Sequence, residues 1–241
     1  MPDPTASVIM PVRNGRKFVS EAIASVLQQF GPDDEVVVVD DHSIDGTPEV
    51  VGARFPMVRL LVNRSRGVSA ARNTGIAAAR GELIAFLDHD DWWPAGRHEV
   101  LKRALVENPD KNASFGRMRV RMESAAPPRA LPPDGMLSAQ HICTGLYRRE
   151  LILSTDGFDD GLAFSEDADF HFQLVDAGLK PMLCDVDALV YRFHDNNTTS
   201  GVTQPSEEVS VLDCLRRHML RRRRREANAA ILPEQPNGEL P

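Results

Sequence analysis

The chain has 241 residues, 42% of them apolar and 26% charged, with a formal net charge of −7. That length and apolar content suit one large soluble domain with a tail and exclude wholesale disorder. No apolar run approaches the roughly 18 residues that a membrane-spanning helix needs. An acidic chain also excludes general duplex binding, which is driven by phosphate neutralisation.

The first half alternates strand and helix. Residues 7–11 form a short apolar run that stops at a proline, and 21–27 place apolar side chains at helical spacing. Residues 35–40 are β-branched throughout their centre, as in a strand buried on both faces of a parallel sheet. Gly46 marks a turn, 47–54 a short helix, and 58–62 a third strand. An alanine-rich helix over 68–79 closes at Gly81, and 83–87 form a fourth strand that runs directly into Asp88-His89-Asp90-Asp91. A helix over 96–107 follows. Strands alternating with helices predict a parallel α/β sheet with right-handed crossovers. The second half is less regular. Strands are predicted over 113–121, 142–148, 182–186 and 188–192, and a helix over 168–177. The stretch 124–135 holds Pro127, Pro128, Pro132 and Pro133 and reads as a loop. A helix over 207–225 carries Val211, Leu215 and Met219 on one face, and 231–241 reads as a frayed tail.

In an open parallel sheet, ligands bind beyond the carboxyl ends of the strands. Strand one ends there in Pro11-Val12-Arg13, strand two in Asp40-Asp41, and strand four in the acidic cluster. Asp88 and Asp90 are one residue apart and can point the same way, as hard oxygen ligands for Mg²⁺ or Mn²⁺. Capping of the next helix by Asp90 or Asp91 is the alternative. Asp41 offers an acceptor for a nucleobase or ribose, or belongs to a solvated turn. Arg72 and Asn73 interrupt a helix that has no need of them, and a guanidinium there can reach phosphate or base. Glu166 and Asp167 precede a helix and are general-base candidates or caps. His194, among turn residues after a strand, is an exposed histidine or a further metal ligand.

Taken in order, these segments resemble glycosyltransferase family 2. The matching stretches are Ser7-Val-Ile-Met-Pro-Val-Arg-Asn14, Val37-Val-Val-Asp-Asp-His-Ser43, Gly67-Val-Ser-Ala-Ala-Arg-Asn-Thr-Gly75 and Phe86-Leu-Asp-His-Asp-Asp91. Thr144-Gly145, Gly157-Phe-Asp159, Ser165-Glu-Asp167 and Tyr191-Arg-Phe-His194 follow in register. The resemblance implies the GT-A fold: a Rossmann-like, mostly parallel central sheet flanked by helices, with a smaller mixed acceptor-side region. It implies a domain over 1–203, with its nucleotide-binding half at about 6–110 and its acceptor half at about 111–203. A basic helix and tail over 204–241 complete the chain.

The resemblance also implies roles. Pro11, Val12 and Arg13 line the nucleotide site, Asp41 contacts the base, and Arg72 sits near base or diphosphate. Asp88 lies near the ribose or reaches the metal through water, with His89 beside it on the cofactor side. Asp90 ligates the metal, and His194 completes the metal or diphosphate contacts. Asp167 is the catalytic base, with Glu166 placing the acceptor, and Asp91 caps the next helix. The implied activity is a metal-dependent, inverting transfer of a sugar from a nucleoside-diphosphate sugar, with UDP-sugars first among donors, to an acceptor hydroxyl. The acceptor is a glycan, a lipid-linked sugar or a small molecule, in cell-surface glycan or glycoconjugate synthesis. The alternatives are a nucleotide-sugar-binding protein without activity and a sugar nucleotidyltransferase. One departure is His42, where the family often has glycine after the paired aspartates.

The three cysteines, Cys143, Cys184 and Cys214, have no metal-type spacing and suggest no disulfide framework. With no visible leader at the N-terminus, they point to a cytoplasmic protein. Arg216, Arg217 and Arg221 to Arg225 concentrate positive charge near the C-terminus. A helix carrying Arg221 to Arg225 can lie on the anionic inner face of a membrane, or pack on the domain with a solvated basic end.

Overall fold

A computed structural model describes residues 5–123, 136–137, 141–162, 165–195 and 214–223. The expected proline-rich loop and the C-terminal tail lie outside the described residues, as do Val211, Arg224 and Arg225.

Four strands are parallel: β1 (Ala6–Val12), β2 (Glu35–Asp40), β3 (Arg59–Val62) and β4 (Leu83–Phe86). Strand β1 is the central rail, paired in register with β2 through Ile9 opposite Val37 and with β4 through Ile9 opposite Phe86. Its seven residues are all buried, and so are Val36 to Val39, because helices cover both faces. Three helices fill the crossovers: α1 (Val19–Leu27), α2 (Thr47–Arg54) and α3 (Val68–Ala78). Helix α3 lies so close to β1 that a Cβ on Gly75 would fall 2.3 Å from Cγ2 of Ile9. Only glycine leaves room there, which explains one glycine inside an otherwise alanine-rich helix.

Beyond β4 the sheet changes direction. After α4 (Arg97–Glu107) come β5 (Ala113–Met122), the two-residue β6 (Met136–Leu137), and β7 (Gly145–Arg148). Helices α5 (Arg149–Leu153) and α6 (Glu166–Asp176) and the long strand β8 (Pro181–Phe193) follow. Strand β7 joins β4 antiparallel, β5 joins β7 antiparallel, and β8 runs parallel to β5. The sheet order is β3-β2-β1-β4-β7-β5-β6, with β8 on β5.

Three expectations are corrected. The strand over 142–148 is a 3-10 turn at Ile142–Thr144 followed by β7, with α5 directly after it. The turn exists because His141 and Thr144 side chains bond the local backbone, which competes with a sheet ladder. The two strands over 182–192 are one strand, β8. Its register against β5 shifts on both sides of Arg117, where Phe115 pairs Leu183, Arg117 pairs Asp187 and Met118 pairs Leu189. The extra residues break the alternation of side chains, so one bulged strand reads as two. Helix α6 begins at Glu166 rather than 168, so Glu166 and Asp167 stand in its first turn.

Candidate active site

The parallel strands deliver their carboxyl ends to one edge. Pro11 and Val12 are buried there, and the Val12 carbonyl accepts from the Asp41 N–H at 2.7 Å. Arg13 is exposed beside them. Asp41 is buried: Oδ1 accepts from Asn63 Nδ2 at 2.8 Å, and Oδ2 from the Gly67 N–H at 2.9 Å. Its carboxylate thereby braces the start of α3. His42 takes a left-handed φ of 60°, the geometry a glycine would supply, and its Nε2 lies 2.9 Å from the Ser65 carbonyl. His89 packs on the β1 loop, since a Cβ on Gly15 would fall 2.4 Å from its ring. The acidic turn and the end of β1 are therefore neighbours.

The turn 88–91 hangs between two strands. The Asp91 N–H donates to the Asp88 carbonyl at 3.1 Å, and Trp92 bridges antiparallel to Val190 of β8. Asp88 and Asp90 face different partners. Asp88 Oδ1 accepts from Arg72 Nη2 at 3.0 Å, and its Oδ2 lies 3.8 Å from Cys143 Sγ. Asp90 Oδ2 lies 3.2 Å from His194 Nε2, whose ring packs on Phe18. Asp91 does not cap the next helix, which starts at Arg97 behind Gly96 without a side-chain cap. Instead Asp91 Oδ1 accepts from the Arg192 N–H at 2.7 Å and ties the turn to β8. Burial, with Asp90 and Asp88 close by, pushes the Asp91 carboxyl well above its ordinary range.

Arg72 is the hub of the site. Its side chain is 3% exposed, and Nη1 donates to Glu166 Oε1 at 3.0 Å and to Asp167 Oδ1 at 2.9 Å. With Nη2 on Asp88, one guanidinium joins the end of β4 to the first turn of α6. Burial works against its charge, but Asp167 and Asp88 outweigh that and hold its pKa well above the ordinary value. Burial also pushes Asp88 up, and Arg72 more than compensates, so Asp88 titrates below its ordinary value. Glu166 goes the other way: burial and adjacent Asp167 raise it despite Arg72. Asn73, the next residue, clamps the loop that precedes α6. Its Oδ1 accepts from the Phe158 N–H and its Nδ2 donates to the Phe158 carbonyl, both at 2.8 Å.

Sequence reading missed three residues here. Cys143 is fully buried against Asp88, and burial raises its thiol well above its ordinary value. His141 places Nε2 3.5 Å from Asp167 Oδ2. Arg97 is fully buried with no carboxylate partner among the described residues, stacked at 3.7 Å on the Trp93 ring. Its Nη2 donates to the carbonyls of Cys143 and Gly145, and burial lowers its pKa to about 9. The one sequence signal was position: His141 and Cys143 directly precede the Thr144-Gly145 match.

Among the described residues, the group of three possible ligands gathered within 4.8 Å is Asp88, His141 and Cys143. Asp90 and His194 form a separate pair, and their carboxylate and imidazole suit Mn²⁺ or Mg²⁺.

The helical segment 214–223 closes the far side of α6 through its basic side chains. Cys214 is buried, Arg217 Nη1 donates to Asp159 at 2.7 Å, His218 lies 3.1 Å from Asp176, and Arg221 bonds Asp169. Leu215, Met219 and Leu220 point outward. Arg221 is thus committed to the domain and is no free surface charge.

A parallel sheet whose strand ends converge on an acidic turn, joined to a mixed sheet that brings carboxylates back to that turn, defines the GT-A fold. The family model described as glycosyl transferase family 2 matches residues 7–168, well over half the chain, and the chain belongs to that family. It is similar to an uncharacterized glycosyltransferase, EpsJ of Bacillus subtilis, at 28% identity over 84% of this chain and 65% of EpsJ. It is 38% identical, over 48% of this chain and 45% of the relative, to WfgD of Escherichia coli. WfgD is named a UDP-Glc:alpha-D-GlcNAc-diphosphoundecaprenol beta-1,3-glucosyltransferase. Staphylococcus aureus TarS, solved with UDP-GlcNAc, matches with a TM-score of 0.66 at 22% identity, over 82% of this chain and 61% of that one. The chain thus spans less than two thirds of the length of these relatives. Among the described residues, no helix is long and apolar enough to cross a membrane.

Proposed function

We propose that the chain is a metal-dependent, inverting glycosyltransferase that moves a sugar from a nucleoside-diphosphate sugar to an acceptor hydroxyl, in cell-surface glycan or glycoconjugate synthesis. The observation that carries this reading is the Arg72 hub. One buried guanidinium gathers Asp88 from the nucleotide-side sheet and Glu166 and Asp167 from α6 within 3.0 Å of its nitrogens. Groups for the donor and for the acceptor are thereby held around one point, with the nucleotide half at about 6–110 and the acceptor half from 111 onward.

In this reading Pro11, Val12, Arg13 and Asp41 form the base end of the donor site, and Asp88 and His89 its ribose and diphosphate end. Asp167 takes the proton from the acceptor hydroxyl as the oxygen attacks the anomeric carbon on the face opposite the leaving group. Arg72 fixes Asp167 and Glu166 relative to Asp88, so attack and departure share one frame. Asp90 and His194 would hold Mn²⁺ or Mg²⁺, which when bound offsets the charge gained by the departing nucleoside diphosphate. A single displacement inverts the anomeric centre. The UDP-sugar donor and a lipid-linked acceptor are supported by what WfgD is named for and by the UDP-GlcNAc held by TarS.

The test is nucleoside-diphosphate release by the purified protein with Mn²⁺, a panel of sugar nucleotides and lipid-linked acceptors. Asp90→Ala and Asp167→Asn should each lower transfer by about 10²-fold or more. Tight donor binding without turnover on any pair, or full turnover of Asp90→Ala, would overturn the reading.

A cytoplasmic enzyme acting on lipid-linked acceptors needs contact with the membrane's inner face. Leu215, Met219 and Leu220 are exposed beside Arg222 and Arg223, a pattern that suits an anionic lipid surface. Vesicles containing phosphatidylglycerol should pellet the protein, and a Leu215→Ser, Met219→Ser, Leu220→Ser variant should stay in the supernatant. Equal pelleting of both rules the surface out.

A further inference from the structure

We propose that His141 is a positioning residue for Asp167, a role that rests on the reading of Asp167 as the base. His141 Nδ1 accepts the Cys143 N–H at 3.3 Å. A ring nitrogen that accepts carries no proton, so the neutral ring bears its proton on Nε2. That nitrogen lies 3.5 Å from Asp167 Oδ2, a donor facing an acceptor. The other oxygen, Oδ1, is held by Arg72 at 2.9 Å. The carboxylate is therefore held by Arg72 at one oxygen and faced by His141 at the other, and the two contacts together restrict its rotation about the Cβ–Cγ bond. Catalytic hydrogen bonds are commonly loose in the free enzyme and tighten when substrate is bound, which suits the 3.5 Å spacing.

His141 is itself anchored from behind. The Thr144 hydroxyl donates to its carbonyl at 2.7 Å, and the Thr144 N–H donates to it at 2.9 Å. The carbonyls of Cys143 and Gly145 are in turn held by buried Arg97. An arginine buried without a counter-charge is costly. Here it ties the turn that carries His141 to Trp93 and α4. The line Trp93, Arg97, Cys143–Gly145, His141, Asp167 thus runs from the core to the base.

A simpler role for His141 is to cap the turn at Cys143, and two substitutions separate the roles. In His141→Asn the side-chain oxygen can replace Nδ1 and keep the cap, but it is too short to reach Asp167. In His141→Gln the amide can replace Nε2 and keep the donor to Asp167, but the cap is lost. Positioning predicts that His141→Asn loses about tenfold or more in kcat for transfer, with donor KM unchanged, and that His141→Gln stays nearer wild type. Wild-type kcat in His141→Asn, or an equal loss in both variants, overturns the proposal. Asp167→Asn is measured alongside. If that variant still transfers sugar, the base reading fails whatever His141 does. If it is dead while His141→Asn is normal, only the His141 inference fails.

Discussion

The acidic turn has two flanks, and an arginine holds each in a different way. On the α6 flank, Arg72 is 3% exposed and faces Asp88, Glu166 and Asp167, themselves 17–27% exposed. On the β8 flank, Arg192 bonds the backbone carbonyl of Asp90, and its guanidinium reaches Glu123 at 2.6 Å and Glu21 at 2.5 Å. Glu21 is 54% exposed. Arg192 also lies over the rings of Phe18 and Trp92, at 4.7 and 4.6 Å. The first arginine organises the three carboxylates proposed for the chemistry; the second ties the backbone of the turn to the rim. The same residue type thus serves a cluster of three partly buried carboxylates on one side and, on the other, a buried brace that reaches the exposed Glu21.

The largest break in this comparison is Arg72→Met. It leaves three partly buried carboxylates without their cation, and unpairing a buried charge costs about 3–5 kcal/mol. Urea unfolding should show a loss towards the lower end of that range, because the carboxylates keep some water, and transfer should fall with it. Arg192→Met should cost less, about 1–2 kcal/mol, since its partners can turn to solvent and methionine keeps some of the ring contact. A loss equal to that of Arg72→Met would erase the distinction between the flanks. The smallest effect is a pH dependence at Asp91. Its folded-state pKa is raised, so between its ordinary value of 3.8 and the raised one the folded state binds the proton more tightly. That contribution to stability is present at low pH and is lost as pH rises. Asp91→Asn lacks it. In metal-free buffer, melting temperatures from pH 4 to 8 should move in favour of the asparagine variant as pH increases. A difference independent of pH would contradict the burial argument.

Much of the parallel half was legible, because Glu35–Asp40 and Leu83–Phe86 are apolar runs of strand length and glycines mark their turns. The acidic turn was legible by position, at the end of such a run. What could not be read was who faces whom. Arg72 meets Glu166 and Asp167 across more than ninety residues of chain, and nothing local to position 72 names them. Asp91 looks like a cap in sequence because the following helix starts nearby, yet its acceptor is used by Arg192 on β8. The packing of 214–223 was out of reach for a related reason. Helical spacing shows that Leu215 and Met219 share a side, but Asp169 and Asp176 on α6 and Asp159 in the loop before it decide which side turns in. His141 and Cys143 stayed hidden because a half-buried histidine and a buried cysteine carry no local signal of the carboxylates they face.

The ion pairs of the C-terminal segment govern how it responds to its medium. Arg217, His218 and Arg221 hold it to Asp159, Asp176 and Asp169, so its attachment is an electrolyte-dependent joint. At about 0.1 M salt, charges are screened over about 10 Å, and the half-exposed Arg217–Asp159 contact weakens first. Arg221, on the fully buried Asp169, holds longest. Rising ionic strength therefore loosens this segment from its first turn towards its last, while the apolar sheet beneath it is left intact.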